Sequence, residues 1–442
     1  MDYTDPSKVV EYITGILLNA ADSAKIKTKS NRSQDFNNPP WFNKECVDLK
    51  KKVSTLGKQR KRLPNCEITR IELSKVKRKL KATIKGNKAK FKIDLLRNMN
   101  LRRKDTKMFW KLLDKLGRKQ EKDILKDSIS PTKWVDHFQN VSHNPNVNKL
   151  LPHNPREEGP MDYSISQEEL MLGTYILKQG KSTGYDGISN EMLSCLLKIS
   201  PELIGKVFNG ILHNPTTIKK WQISMITPIY KKGCKLNPDN YRGISLLSCF
   251  SKFFLAILNS RLLKFAIENQ ILSKTQLGFL PGNRTSDALL ILHNLVDYYC
   301  NKNKKYLYGC FVDFSKAFDS LPRYTLFTKL LKHDISGKFY DCLVNLYTED
   351  QSCIKVKNKI TNTFTINQGV KQGCVLSPLL FNIFMSDLPQ ELEKQENDPI
   401  EISPHEFCGG LLWADDLLML SVRKRTSEYA RYFARFLRKK RT

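Results

Sequence analysis

No stretch of this 442-residue sequence approaches the roughly twenty uninterrupted apolar residues that a membrane-spanning helix needs. The start, MDYTDPSKVV, lacks the apolar core of a signal peptide, so neither spanning nor secretion is indicated and an intracellular place is expected. No Cys-x-x-Cys pair occurs. The eleven cysteines are scattered singly, which excludes an obvious zinc module and argues for a reducing compartment rather than a disulfide framework. Acids are the scarce charge, with 44 Asp+Glu against 74 Lys+Arg, a net of +30. Apolar residues are not scarce: 40% of the chain is hydrophobic and 10% aromatic, so a core is expected and wholesale disorder is not. The length suggests two or three domains.

The excess charge is concentrated. Residues 44–122 hold 28 Lys/Arg against 8 Asp/Glu, and residues 423–441 hold nine basic residues and one acid, Glu428. The rest of the chain is close to neutral. Two basic attachments on an ordinary globular body point to a polyanion, and nucleic acid is the commonest one. The alternative is a solvated helical face. Against it stands the close recurrence of Lys50-Lys51-Lys52, Lys58-Gln59-Arg60-Lys61-Arg62 and Lys75-Val76-Lys77-Arg78-Lys79.

Residues 1–43 begin as a short helix and run into Pro39-Pro40-Trp41-Phe42, read as an extended linker. Residues 44–126 are a basic helical segment, with Leu73, Val76, Leu80, Ile84, Phe91 and Leu95 on one face. A second amphipathic piece carries Met108, Leu112 and Leu116. Residues 127–160 turn Pro-, Asn- and His-rich and read as a linker. Ser166-Gln167-Glu168-Glu169 reads as a capped helix start. Gly180-Lys181-Ser182-Thr183 is not a phosphate loop, because Tyr175 stands where that pattern needs its first glycine. Farther on, 223–230 and 306–314 read as strands, and 251–267, 323–333 and 337–348 as helices. Short strands follow at 353–356 and 363–366. Ser377-Pro378 offers a capping hydroxyl before proline at a helix start. Residues 410–420 form two apolar runs around Asp415-Asp416. This order fits an α+β layer with helices on one face of an antiparallel sheet.

Three carboxylates have the wrong neighbours for solvated acids. Asp313 ends an apolar strand, and Asp415-Asp416 interrupt an apolar hairpin. Burying an ionised carboxylate without a partner is costly, so such acids call for a cation or a hydrogen-bond donor. Adjacent strand residues face opposite ways, so two neighbouring aspartates serve one site only at a turn. If the strand ending at Asp313 pairs beside that hairpin, the three converge. Oxygen-only ligands suit Mg²⁺, and two such ions can clamp an in-line phosphoryl displacement. An exposed acidic turn is the alternative.

The run Phe311-Val312-Asp313-Phe314-Ser315-Lys316-Ala317-Phe318-Asp319 resembles motif A of reverse transcriptases. Gln368-Gly369-Val370-Lys371-Gln372-Gly373-Cys374-Val375-Leu376-Ser377-Pro378 resembles motif B, and Trp413-Ala414-Asp415-Asp416 motif C, where Tyr or Phe is usual before Ala-Asp-Asp. Upstream, Thr227-Pro228-Ile229-Tyr230-Lys231-Lys232-Gly233, Asn240-Tyr241-Arg242-Gly243-Ile244-Ser245-Leu246 and Gln276-Leu277-Gly278-Phe279 resemble finger motifs of the non-LTR (LINE-type) retrotransposon branch. So does Pro281-Gly282-Asn283-Arg284-Thr285. The resemblance covers about 166–422. Pro40-Trp41-Phe42 and the basic segment resemble the connector of that family.

The resemblance implies a right-hand polymerase fold with fingers over 161–305 and palm over 306–442. It implies an RNA-directed DNA polymerase acting on an RNA template, a DNA primer and dNTPs. Asp313, Asp415 and Asp416 would be catalytic and hold two Mg²⁺ ions, with Mn²⁺ as a substitute. Lys231 or Lys232 would hold the triphosphate with Arg242, whose planar guanidinium suits bidentate phosphate contact. The ring of Phe318 would exclude a ribose 2′-hydroxyl, or else be core packing. Gln372 and Gly373 would line the nucleotide pocket. No cysteine or histidine receives a role. The family resemblance alone implies a nuclear place of action. No endonuclease fits in residues 1–43, and the 26 residues after Asp416 are too few for a thumb, so a fragment with weak activity is expected. A catalytically inactive, nucleic-acid-binding remnant is the rival reading.

Overall fold

The computed structural model describes residues 5–24, 39–62, 66–101, 108, 112, 129–144, 150–216, 218–356, 359–393, 400–403 and 406–422. The basic stretch 423–441 and most of the second amphipathic piece lie outside them. The chain divides into two compact units, Lys27–Ile124 and the remainder.

In the smaller unit the described residues include two helices, α1 (Lys44–Arg62) and α2 (Glu67–Leu101). Leu73, Leu95 and Met99 are its buried stripe, with Val76, Leu80, Ile84 and Phe91 half-covered along the same face. The lysines and arginines of Lys75–Lys79 and Lys50–Lys52 stay in solvent. Asn87 Nδ2 donates to Cys46 Sγ at 3.4 Å, which pins the two helices side by side. Residues 39–42 are not the extended chain that a proline pair suggests. Phe42 N–H donates to Pro39 O at 2.8 Å, closing a turn with Pro40 at the position that favours a fixed φ. Lys88 then lies 4.5 Å from the Trp41 ring centroid.

The larger unit is α+β. It opens with helix α3 (Pro6–Ser23), capped by the Asp5 side chain on Ser7 N–H. Val9, Val10 and Ile13 bury into the main core against α4 (Pro201–His213), so this helix is part of the body and not an appendage before a linker. Residues 127–160 are also no simple linker. Helix α5 (Pro131–Ser142) starts on a Ser130 cap and buries Trp134 completely, with Phe138 and Tyr241 against its ring. The composition is loop-like, but two aromatic residues four apart give this short helix a face to bury. Ser166 and Glu169 form the reciprocal capping box expected of them.

Three sheets carry the rest among the described residues. The first is mixed: β1 (Ile223–Tyr230) pairs antiparallel with β2 (Tyr241–Leu246) and parallel with β4 (Gln351–Val356), which in turn holds β5 (Lys359–Ile360) and β6 (Phe364–Thr365). The second is antiparallel, in the order β3-β10-β9, with β3 Tyr308–Asp313, β9 Gly410–Trp413 and β10 Asp416–Ser421, and the third is the antiparallel pair β7 (Ile400–Ser403) and β8 (Glu406–Cys408). The antiparallel sheet expected from the order of elements is the second of these, while the first is mixed because β1 and β4 pair in parallel across more than a hundred residues of sequence. In the second sheet the strand β10 is covered on both faces rather than one, while Phe311 on β3 stays exposed. Alternation along β10 sends Leu417 and Met419 into the main core, and Leu418 and Leu420 towards Leu295 and Tyr299.

Helices fill the space between and around the sheets. The apolar run 251–267 lies within α6 (Cys249–Glu268), whose first turn is capped by Ser248. Arg323–Lys332, Gly337–Tyr347 and Ser377–Met385 follow as expected. One detail differs: Ser377 is the first helical residue rather than a cap, and its hydroxyl donates to Lys371 O at 2.9 Å.

Candidate active site

The antiparallel register places Asp416 directly opposite Asp313, at the end of β3 and the start of β10. Trp413 pairs with Asp416 across the hairpin, leaving Ala414 and Asp415 as its two-residue turn. Ala414 takes a left-handed φ of 60°. That conformation costs an alanine about 1–2 kcal/mol and brings the two neighbouring aspartates to one sheet end. Asp313 and Asp416 are exposed and Asp415 half-buried. None of the three carboxylates has a hydrogen-bond or ion-pair partner among the described residues.

Among the described residues no three His, Cys, Asp or Glu side chains form a ready-made cage for a metal ion. The site is an open, acid-lined sheet end. Its donors are all oxygens and carry no competing cation, which fits Mg²⁺, an ion that keeps several ligands from water and substrate phosphates. The apolar strands behind the acids supply the walls, and Phe311 lies on the same face of β3 as Asp313, largely exposed.

The other expected residues fall on two supports. Lys231, Lys232 and Arg242 are exposed on the β1–β2 hairpin, with Arg242 across from Ile229 and Lys231 N–H donating to Asn240 O at 2.8 Å. The three cations have no acidic partner among the described residues. Gln372 and Gly373 lie on the loop before Ser377–Met385, and that loop is tied to its surroundings from two sides. Ser245 N–H, on β2, donates to Gln372 O at 2.8 Å, and Gly373 at φ 128° lies so close that a Cβ would sit 2.4 Å from Ser245 O. Val370 N–H donates to Phe318 O at 2.7 Å, and Gly369 N–H to Leu321 O at 2.8 Å. The loop thus joins the strand that carries Arg242 to the segment that carries Phe318.

The Phe318 ring stacks on Phe381 with centroids 4.7 Å apart and meets Phe279 edge-on at 6.0 Å. Gln372 Nε2 donates to Asp319 Oδ2 at 3.2 Å. Burial pushes the Asp319 carboxyl up to about 6, with Lys316 opposing.

Three residues that sequence reasoning gave no role support this arrangement. Asp350, fully buried, accepts from Arg323 at 2.7 Å and pairs with Lys371 at 2.8 Å. Arg323 also donates to Gly369 O and Tyr347 O, so one cation holds the loop's start and the preceding helix together. Lys371 sits inside the motif B run, but nothing in the local pattern marks Asp350 or Arg323 as its neighbours.

A family model for reverse transcriptase (RNA-dependent DNA polymerase) matches residues 229–441. Among curated proteins, the chain is similar to the probable RNA-directed DNA polymerase from transposon BS of Drosophila melanogaster. The identity is 29% over 276 residues, 62% of this chain and 29% of the relative. It is also similar to the RNA-directed DNA polymerase from mobile element jockey of the same organism, at 28% over 242 residues, 54% of this chain and 26% of the relative. The chain therefore spans less than a third of the length of these relatives. Among solved structures, apo telomerase from Candida Tropicalis is similar at 13% identity over 71% of each chain, with a TM-score of 0.35, too slight a likeness to bear on the site. Over residues 229–441 the chain is similar to reverse transcriptases, and the curated relatives it matches are RNA-directed DNA polymerases of mobile elements.

Proposed function

We propose that this chain is an RNA-directed DNA polymerase that adds dNTPs to the 3′-hydroxyl of a DNA primer on an RNA template. The single observation that carries the reading is the register of Asp416 against Asp313, with Asp415 in the adjoining turn and no partner for any of the three among the described residues. Asp313, Asp415 and Asp416 would hold two Mg²⁺ ions, or Mn²⁺ in their place. Bound there, the ions would lower the pKa of the primer hydroxyl and offset charge at the α-phosphate.

The chain's own residues do the rest. Arg242 with Lys231 or Lys232 meets the triphosphate, their exposed cations, without an acidic partner among the described residues, being suited to phosphate oxygens. Gln372 and Gly373 line the nucleotide's side of the pocket, and the Phe318 ring fills the space a 2′-hydroxyl would need. Residues 161–305 serve as fingers, 306–442 as palm, and the basic pair of helices in 44–126 as a nucleic-acid-binding connector. A remnant that only binds nucleic acid has no use for three unpaired acids at one sheet end.

Primer extension on an RNA template tests this. Asp313→Asn and Asp415→Asn should each abolish Mg²⁺-dependent incorporation while thermal unfolding stays unchanged or shifts upward, since each removes a like charge. Near-normal extension by either variant would sink the assignment.

A further inference from the structure

Gln276 is almost wholly buried, and its side-chain amide faces the backbone of Ala414, the residue that turns the chain before Asp415. Its Nε2 donates to Ala414 O at 3.1 Å, and its Oε1 accepts from Ala414 N–H at 3.0 Å. The same oxygen accepts from Gly278 N–H at 2.9 Å. The segment around it runs beside β9 like a short extra strand: Leu277 N–H donates to Leu412 O at 2.9 Å, and Leu412 N–H to Thr275 O at 3.0 Å. Buried Asn382, on the helix Ser377–Met385, donates to Gly278 O at 2.9 Å and anchors the segment from the other side. A Cβ at Gly278 would stand 2.2 Å from Ala414 N, so the two backbones approach as closely as glycine permits.

We infer that Gln276 is a positioning residue for the catalytic turn: it holds Ala414 in its left-handed conformation and thereby fixes where Asp415 presents its carboxylate. The inference rests on the function proposed above. An ordinary hairpin leaves the N–H and C=O of its turn residues to solvent, whereas here one amide satisfies both groups of Ala414 at once. Only a side chain with a donor and an acceptor on one carbon does this. A carboxylate offers acceptors alone, and an apolar isostere offers neither. The conformation of Ala414 is unfavourable for an alanine, so it persists where its surroundings over-determine it, and Gln276 with Gly278 supplies that constraint. Misplacement of a reacting group by about 1 Å can cost roughly 10²-fold in rate. Substrate binding does not depend on the turn in the same way, because Arg242, Phe318 and Gln372 are held by other contacts.

The test is Gln276→Met in the full chain, read by amide hydrogen exchange over residues 410–420 and by single-nucleotide incorporation. Exchange in that segment should speed up by about 10-fold or more while the rest of the larger unit is unchanged, because the Ala414 N–H has lost its acceptor. Turnover should fall roughly 10²-fold in kcat with KM for dNTP little altered. Equal exchange and equal kcat in variant and wild type would overturn the inference. So would faster exchange throughout the unit, which would make Gln276 a general support of the fold. If Gln276→Met does not fold, Gln276→Glu at pH 8 keeps the size and the acceptors but loses the donor. Its kcat should then lie below wild type, and equality overturns the inference. An Asp415→Asn control separates the two levels. If it extends primers as well as wild type, the proposed function fails, while the exchange data still judge the clamp by themselves.

Discussion

Replacing Phe318 with alanine separates packing from substrate selection. The ring stacks on Phe381 at 4.7 Å and 22° from parallel, and meets Phe279 nearly perpendicular at 6.0 Å. Truncating a fully buried Phe to Ala costs about 3–5 kcal/mol, and each aromatic pair adds ~0.5–1.5 kcal/mol beyond its buried area. Phe318 keeps part of its surface in solvent, so a loss of roughly 2 kcal/mol is expected, a drop of a few degrees in Tm for a unit of this size. Selection is a separate quantity. An apolar wall rejects an added hydroxyl by about 10²-fold, so the ratio of kcat/KM for dNTP over rNTP should fall by roughly 10²-fold, about 2.7 kcal/mol. Single-nucleotide incorporation on one RNA template and primer, with each sugar in turn, measures the ratio. Phe318→Leu, which keeps more of the wall, should fall between. An unaltered ratio in an active Phe318→Ala protein with lowered Tm would make Phe318 core packing and place the gate elsewhere.

Asp350→Asn leaves the buried Arg323 and Lys371 without their counter-charge, so denaturant unfolding should show a loss of about 3–5 kcal/mol, and a loss under 1 kcal/mol would refute the pairing. Asp319 carries a carboxyl raised by burial to about 6, so the folded chain favours its protonated form. Its contribution to stability is best below the ordinary carboxylate value of about 3.9, declines as pH rises through 6, and stays reduced above. Asp319→Asn should accordingly gain in Tm over wild type between pH 4.5 and 7.5, and a difference independent of pH contradicts the burial. The basic segment 44–122 should bind RNA or DNA with little sequence preference and steep salt dependence. Deleting it should flatten the plot of log K against log salt, and an unchanged slope would reduce its lysines to a solvated face.

Local chemistry was legible in the amino-acid sequence. The strand Ile223–Tyr230 matches its expected bounds, the run 251–267 lies inside one helix, and the Asp415-Asp416 hairpin turns where alternation demands a turn. Such features rest on residues a few positions apart, whose periodicity and capping are written in order along the chain. The convergence of Asp313, Asp415 and Asp416 was legible from a local anomaly too, a carboxylate among apolar neighbours. The proline-rich stretch 127–160 misled, because composition does not reveal that Trp134 has a pocket to fill beside Tyr241. The parallel pairing of β1 with β4, and the Asp350 junction with Arg323 and Lys371, join positions whose sequence separation carries no pattern. Gln276 is the sharpest case. Its letter stood inside a recognised motif, yet its work depends on lying beside Ala414, more than a hundred residues away. The sequence determined which groups are candidates for the proposed chemistry. The tertiary structure decided which backbone and side-chain groups hold them at one sheet end, because that depends on packing distances no local pattern encodes.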